Sequence, residues 1–243
     1  MIKKNGYPVE SHVVETEDGY LLTMHRIPHG KPDANGEVPA EKSVVFLQHG
    51  VLSCSADWVV IGPENALAYL LADQGYDVWM GNARGNTYSR SHTTLDPDDD
   101  AAFWQFSWHE IGTIDVPAMI DFILEETSEE KLHYIGHSQG TTVLFVMLSL
   151  KPAYNDVLYS AQALAPIVFV SHLKSPILRL VAPLSDQLDL LSGLIGVNEF
   201  MPSNVFTRIG GKYACMDHSP FQEICANMLF LIAGYDSEQL NRV

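Results

Sequence analysis

The succession of apolar and polar positions reads as strands alternating with helices behind an opening hairpin. Ser11 to Thr16 and Tyr20 to Ile27 are strand-like stretches on either side of Asp18-Gly19, a dipeptide that favours a tight hairpin turn. Pro28 to Lys42 is polar and rich in glycine and proline, and reads as a loop. Ser43-Val44-Val45-Phe46-Leu47 is continuously apolar, as a strand covered on both faces of a parallel sheet must be. A helix is expected over Glu64 to Gln74. Tyr76-Asp77-Val78-Trp79-Met80 is the next strand, ended by Gly81-Asn82-Ala83-Arg84-Gly85. From Ile111 to Glu126 the residues Ile114, Met119, Ile120, Ile123 and Leu124 can share one helical face. Lys131 to Ile135 is a short apolar strand, Thr141 to Met147 is helix-like, and Val157 to Leu164 is a further strand. This rhythm predicts an α/β fold, a mostly parallel central sheet flanked by helices.

At Ile167 the pattern changes. The rest is helix-like, rich in Leu, Ile and Phe, and punctuated by Pro176, Pro183, Pro202 and Pro220. Residues 1–166 are therefore expected to form the α/β core, and residues 167–243 a partial helical cap over the carboxyl edge of its sheet.

Bulk properties narrow the function. The formal net charge of −16 is spread without a basic stripe, which excludes nucleic acid as the expected partner. No apolar run approaches the roughly 18 residues of a membrane span. Met1-Ile2-Lys3-Lys4 leads into Asn5-Gly6-Tyr7-Pro8 with no apolar leader, so the chain is expected to be cytosolic or to have had its N-terminus removed. Of the three cysteines, Cys215 and Cys225 are close in sequence and Cys54 is distant. A local disulfide with Cys54 free and three reduced thiols are both compatible with that spacing. No Cys/His cluster has metal-ligand spacing.

The chemistry concentrates at Gly136-His137-Ser138-Gln139-Gly140, between a strand-like and a helix-like run. This is G-x-S-x-G in the context it requires: strand, sharp turn, helix. The bland alternative is an ordinary glycine-rich connection. In the functional reading Ser138 stands at the apex as a nucleophile. A serine hydroxyl needs a base to take its proton, and that base needs an orienting carboxylate. Here the order should be Ser, then Asp or Glu, then His. The histidines after Ser138 are His172 and His218, both in cap-like sequence. His137 adjoins the serine and should point away from it. His49, before Gly50, suits loop shaping better than proton transfer. Asp115 and Asp121 are expected as surface or capping residues. An oxyanion hole needs two backbone N–H groups, expected from Gln139 and, after the strand ending at His49-Gly50, from Val51.

These residues resemble those of the acid lipase family, that of gastric and lysosomal acid lipases and their insect relatives. The resemblance runs through Gly6-Tyr7-Pro8 with Glu10, His12, Thr16, Asp18-Gly19-Tyr20 and Arg26-Ile27-Pro28, a lipase-associated region over residues 6–28. It continues through Leu47-Gln48-His49-Gly50, Gly75-Tyr76-Asp77-Val78-Trp79, Gly81-Asn82 with Arg84-Gly85-Asn86-Thr87, and Leu132 to Thr142 around the elbow at 136–140. It implies an α/β-hydrolase fold, no cofactor, a lipid ester substrate met at a lipid–water interface, and Ser138 as nucleophile with Val51 and Gln139 as oxyanion donors. It also implies a Cys215–Cys225 disulfide and a secreted or lysosomal setting. The family's catalytic Asp and His and its last strands have no counterpart in this chain. The expectation is a truncated member whose parent hydrolyses triacylglycerol or sterol esters through an acyl-serine. The alternative is a catalytically incomplete fragment or isoform that binds lipid or a partner without turnover.

Overall fold

The computed structural model describes residues 1–32, 42–169 and the isolated Pro183. The chain divides into two units, Met1–Val168 and Phe169–Val243, and the sheet and its helices belong to the first. His172, His218, Cys215, Cys225 and nearly all of the expected cap lie outside the described residues.

Strands β1 (Glu10–Glu15) and β2 (Leu21–Ile27) form the opening hairpin. They pair antiparallel, with Glu10 opposite Arg26 and Glu15 opposite Leu21. Gly19 takes φ +93°, a conformation glycine adopts without penalty. Then come β3 (Val44–Gln48), helix α1 (Leu67–Asp73) and β4 (Asp77–Met80). Next are the short helix α2 (Trp108–Glu110), a π-helical turn (Ile111–Asp115) and α3 (Val116–Thr127). Strand β5 (Leu132–His137), helix α4 (Gln139–Leu150) and β6 (Leu158–Leu164) complete the unit.

The sheet order is β1-β2-β4-β3-β5-β6. The hairpin joins β4 antiparallel, while β4, β3, β5 and β6 run parallel. Every residue of β3 and β4 is buried, as continuous apolar runs require when both faces are covered. Side-chain alternation sorts β3 between two cores. Val44 and Phe46 meet Trp79, Met119, Ile120, Ile123 and Leu144 on the face covered by α3 and α4. Val45 and Leu47 meet Val78, Met80, Ala68, Tyr69 and Ala72 on the face covered by α1. Such a sheet aims the carboxyl ends of β3, β4 and β5 at one edge, where an open α/β sheet holds its ligands.

Helical structure begins ahead of the apolar periodicity at Ile111. The Ser107 hydroxyl accepts a hydrogen bond from the His109 N–H at 3.1 Å, and the Glu110 carboxylate accepts one from the Ser107 N–H at 2.6 Å. Ser107-Trp108-His109-Glu110 is thus a capping box. The π turn next to it shifts the phase of the buried face. Ile114 is only half-buried, and Asp115, expected at the surface or in a cap, is fully buried. Asp121 is exposed and accepts a bond from the Tyr154 hydroxyl at 2.8 Å.

Candidate active site

Ser138 joins β5 to α4 with φ 53° and ψ −119°. A β-carbon in that region costs about 1–3 kcal/mol, so the surroundings must impose it. They do so through the backbone. The Ser138 N–H donates to Leu164 O at 2.9 Å, at the end of β6. The Ser138 carbonyl accepts from the Thr141 N–H at 2.9 Å and from Thr141 Oγ1 at 2.7 Å. Thr141 Oγ1 also accepts from the Ile167 N–H at 2.9 Å, which ties the chain after β6 to the start of α4.

Close approach of backbone explains the flanking glycines. A β-carbon on Gly136 would lie 2.5 Å from Gly140 O and 2.7 Å from its carbonyl carbon. One on Gly140 would collide with the carbonyl oxygen of Gln48, and one on Gly50 would lie 2.9 Å from Ser138 Cβ. The segment after β3 therefore passes directly beside Ser138.

The first turn of α4 places the Gln139 N–H next to Ser138, where N-terminal amides of a helix favour negative charge. Val51 is half exposed on the loop beside the elbow, and its neighbour Leu52 carries φ +56°. Ser138 and Gln139 are half-buried, so a substrate can reach them, while His137 is exposed.

His49 is buried beneath this loop. Its Nε2 accepts the Ala83 N–H at 3.1 Å, and an amide can only donate. The ring proton therefore sits on Nδ1, which donates to Gly50 O at 2.7 Å. Burial also holds His49 below the usual histidine range. It is a neutral peg for the loop, not a base for Ser138.

A buried ion cluster lies behind the segment after β4. The Arg84 guanidinium meets Asp115 at 2.6–2.7 Å and Asp18 at 2.6 Å, and lies 4.0 Å over the Tyr20 ring. Burial pushes the Asp115 carboxyl up, to about 6, against the pull of Arg84; the same guanidinium, with the Thr16 hydroxyl, lowers Asp18. Cys54 is a free, half-buried thiol whose pKa burial raises. A cavity of about 530 Å³, lined by Ile2, Val9, His25, Ser55, Val59 and Met80 among others, lies away from Ser138, Gln139 and Val51. No helix among the described residues is long and apolar enough to cross a membrane.

Sequence reasoning did not find Arg84 paired with Asp115 and Asp18, nor the bonds that buried Asn82 and half-buried Asn86 make beneath the loop. The signal for them was a polar block, Asn82 to Asn86, directly after a buried strand.

Sheet order, helical layers and a strained serine between strand and helix define an α/β-hydrolase architecture. A model described as the alpha/beta hydrolase fold matches residues 43–166, and one described as a partial alpha/beta-hydrolase lipase region matches residues 1–62. The chain belongs to the α/β-hydrolase fold family. Within it, the relatives matched over nearly the whole chain are named lipases. Lipase 3 of Drosophila melanogaster is 51% identical over 99% of this chain and 60% of its own length. Lysosomal acid lipase/cholesteryl ester hydrolase of Homo sapiens is 43% identical over 97% of this chain and 57% of its own. Human gastric triacylglycerol lipase is 42% identical, over 99% and 59%. The chain thus spans about three fifths of the length of these relatives. Among solved structures, an esterase from Pyrococcus furiosus superposes with a TM-score of 0.51 at 17% identity, over 81% of this chain and 67% of that one, a likeness of fold.

Proposed function

We propose that the protein hydrolyses lipid esters, triacylglycerol or sterol ester, through an acyl intermediate on Ser138. The observation that carries this reading is the backbone of Ser138, held at φ 53° between β5 and α4 with Gly50 packed against its β-carbon. In this reading Ser138 Oγ attacks the ester carbonyl carbon and its proton passes to a histidine base. The Val51 and Gln139 amides bind the oxyanion, the alcohol departs, and water releases the acid. No cofactor takes part. Among the described residues, the bonds made at Ser138 are backbone bonds, so the base and its carboxylate are sought beyond them.

The names of the relatives support the substrate class and a secreted or lysosomal setting, in which a Cys215–Cys225 disulfide would form. Exposed Val51 and Leu52, with Val60 and Ile61 further along the same connection, support contact with a lipid–water interface. A helical cap over residues 167–243 would shield the acyl chain from water.

The test compares this chain, and any longer product containing it, with Ser138→Ala in hydrolysis of a soluble p-nitrophenyl ester and a triacylglycerol emulsion. Mass spectrometry follows the acyl adduct on the Ser138 peptide. Ser138→Ala should lose the adduct and about 10⁴-fold or more in rate. Full turnover by Ser138→Ala would refute the reading.

A further inference from the structure

We propose that Asn82 and Asn86 are positioning residues that hold the oxyanion loop, residues 49–55, through His49 and Ser55. The inference rests on the acyl-serine reading above and extends it to side chains that do not touch the substrate.

The two asparagines grip the loop at both ends. At its far end, Asn82 Oδ1 accepts the Ser55 N–H at 2.9 Å, and Asn82 Nδ2 donates to Ser55 Oγ at 3.1 Å. The same Nδ2 donates to Thr23 O of β2 at 2.8 Å, which fixes the bracket to the sheet. His25 Nδ1 reaches Ser55 Oγ at 2.8 Å from the same strand. At the near end, Asn86 Nδ2 donates to His49 Nε2 at 3.1 Å, sharing that acceptor with the Ala83 N–H, and His49 in turn holds Gly50 O. Asn86 Nδ2 also donates to Asn82 Oδ1 at 2.9 Å, which joins the two grips.

Between these anchors Gly50 packs against the Ser138 β-carbon and the Ser53 hydroxyl donates to Asp57, but the residues directly after Gly50 lie open to solvent. Val51 and Leu52 are 51% and 57% exposed, and Leu52 carries a strained φ of 56°. Apolar packing does not set the direction of the Val51 N–H; the hydrogen bonds at the loop ends do. An oxyanion donor works only when held within about 0.5 Å of its productive position. The bracket is itself rigid. Asn86 Oδ1 accepts the Tyr88 N–H at 2.9 Å and the Ser89 N–H at 3.1 Å, and Ser89 Oγ donates to Asn82 O at 2.9 Å. The Arg84 N–H between them donates to buried Asp115 at 3.0 Å.

The experiment uses the ester-hydrolysing protein with Asn86→Asp, which keeps the acceptor for Tyr88 and Ser89 and removes the donors to His49 and Asn82. Asn82→Asp, which keeps the acceptor for the Ser55 N–H, is the second variant should the first not fold. Active-site titration counts competent molecules. Either variant should lower kcat per competent site about tenfold to a hundredfold with KM within about twofold. It should also weaken an alkyl boronic acid, a tetrahedral mimic bound at Ser138, by the same factor. A merely structural role would reduce the count of competent sites and leave boronate affinity unchanged. Unchanged kcat in both variants, or lowered kcat with unchanged boronate affinity, overturns the proposal while Ser138→Ala remains silent. Turnover surviving in Ser138→Ala overturns the acyl-serine reading, and the proposal with it.

Discussion

Replacing Gly140 by alanine sets two effects of opposite sign against each other. Gly140 lies in the first turn of α4, where alanine is favoured over glycine by about 0.8–1 kcal/mol. Against that stands the end of β3. The new β-carbon would collide with Gln48 O and lie 2.9 Å from His49 O and 3.0 Å from the Gln48 carbonyl carbon, well inside the 3.5 Å or so of comfortable contact. All three atoms are backbone, so no side chain can rotate away, and Gln48 and His49 are both buried. Helix and strand must separate, and overpacking of this kind costs about 1–3 kcal/mol. The net expectation is a loss of about 0–2 kcal/mol, with Tm falling some 2–4 °C per kcal/mol lost. Activity should suffer more than stability. Ser138 and Gln139 ride on the same turn, and a displacement of about 1 Å from the loop proposed to bind the oxyanion costs on the order of 10² in rate. Urea unfolding and ester hydrolysis on one preparation measure both. A Gly140→Ala protein as stable and as active as its parent would show that β3 and α4 do not approach so closely, and the geometry of the nucleophile turn would fall with it.

Arg84→Met leaves the fully buried Asp115 without its cation and should cost about 3–5 kcal/mol at neutral pH. Because burial already pushes that carboxyl up, to about 6, the penalty should shrink as the pH falls and Asp115 takes a proton; denaturant unfolding across pH 4–7 checks it. Ser138→Gly should abolish turnover yet raise stability by up to about 2 kcal/mol, since glycine takes φ 53° without strain and gives back only about 0.4–1 kcal/mol as added freedom of the unfolded chain; unfolding midpoints decide it. His49, with its pKa depressed by burial, contributes stability that is present above about pH 6.5 and lost as the pH falls. The stability difference between wild type and His49→Gln should therefore shrink as the pH falls below that point, by at most about 1.4 kcal/mol per pH unit, and a pH-independent difference would refute the neutral-peg assignment.

Much of the fold is local information. The continuous apolar run at Val44–Leu47 and the Asp18-Gly19 turn each report a structural fact within a few residues, and β3 and the hairpin form where those signals stand. Boundaries moved where a second local device overrode periodicity. The capping box at Ser107–Glu110 starts the helix ahead of Ile111, and the π turn then exchanges Ile114 for Asp115 on the buried face. The first of these was readable as S-x-x-E. The second has no sequence mark, because the apolar period runs on through the extra residue.

The candidate site divides along the same line. G-x-S-x-G encodes its turn in adjacent residues, since backbone crowding at Gly136 and Gly140 arises within the turn itself and against the strand beside it. The supports beneath it are encoded in pairs far apart: Arg84 with Asp115 at a separation of 31, Arg84 with Asp18 at 66, and Asn86 with His49 at 37. Composition places such residues on a surface, and only the assembled sheet turns them inward. Once inward they must be paired, because an orphaned buried charge costs several kcal/mol. A polar block such as Asn82-Ala83-Arg84-Gly85-Asn86, set directly after the fully buried strand Asp77–Met80, therefore carries information that its residue types alone do not. Asn82 and Arg84 are buried and Asn86 is half-buried, so these side chains bind neighbouring strands and loops. At the carboxyl edge of this sheet the neighbouring loop is the one that passes beside Ser138.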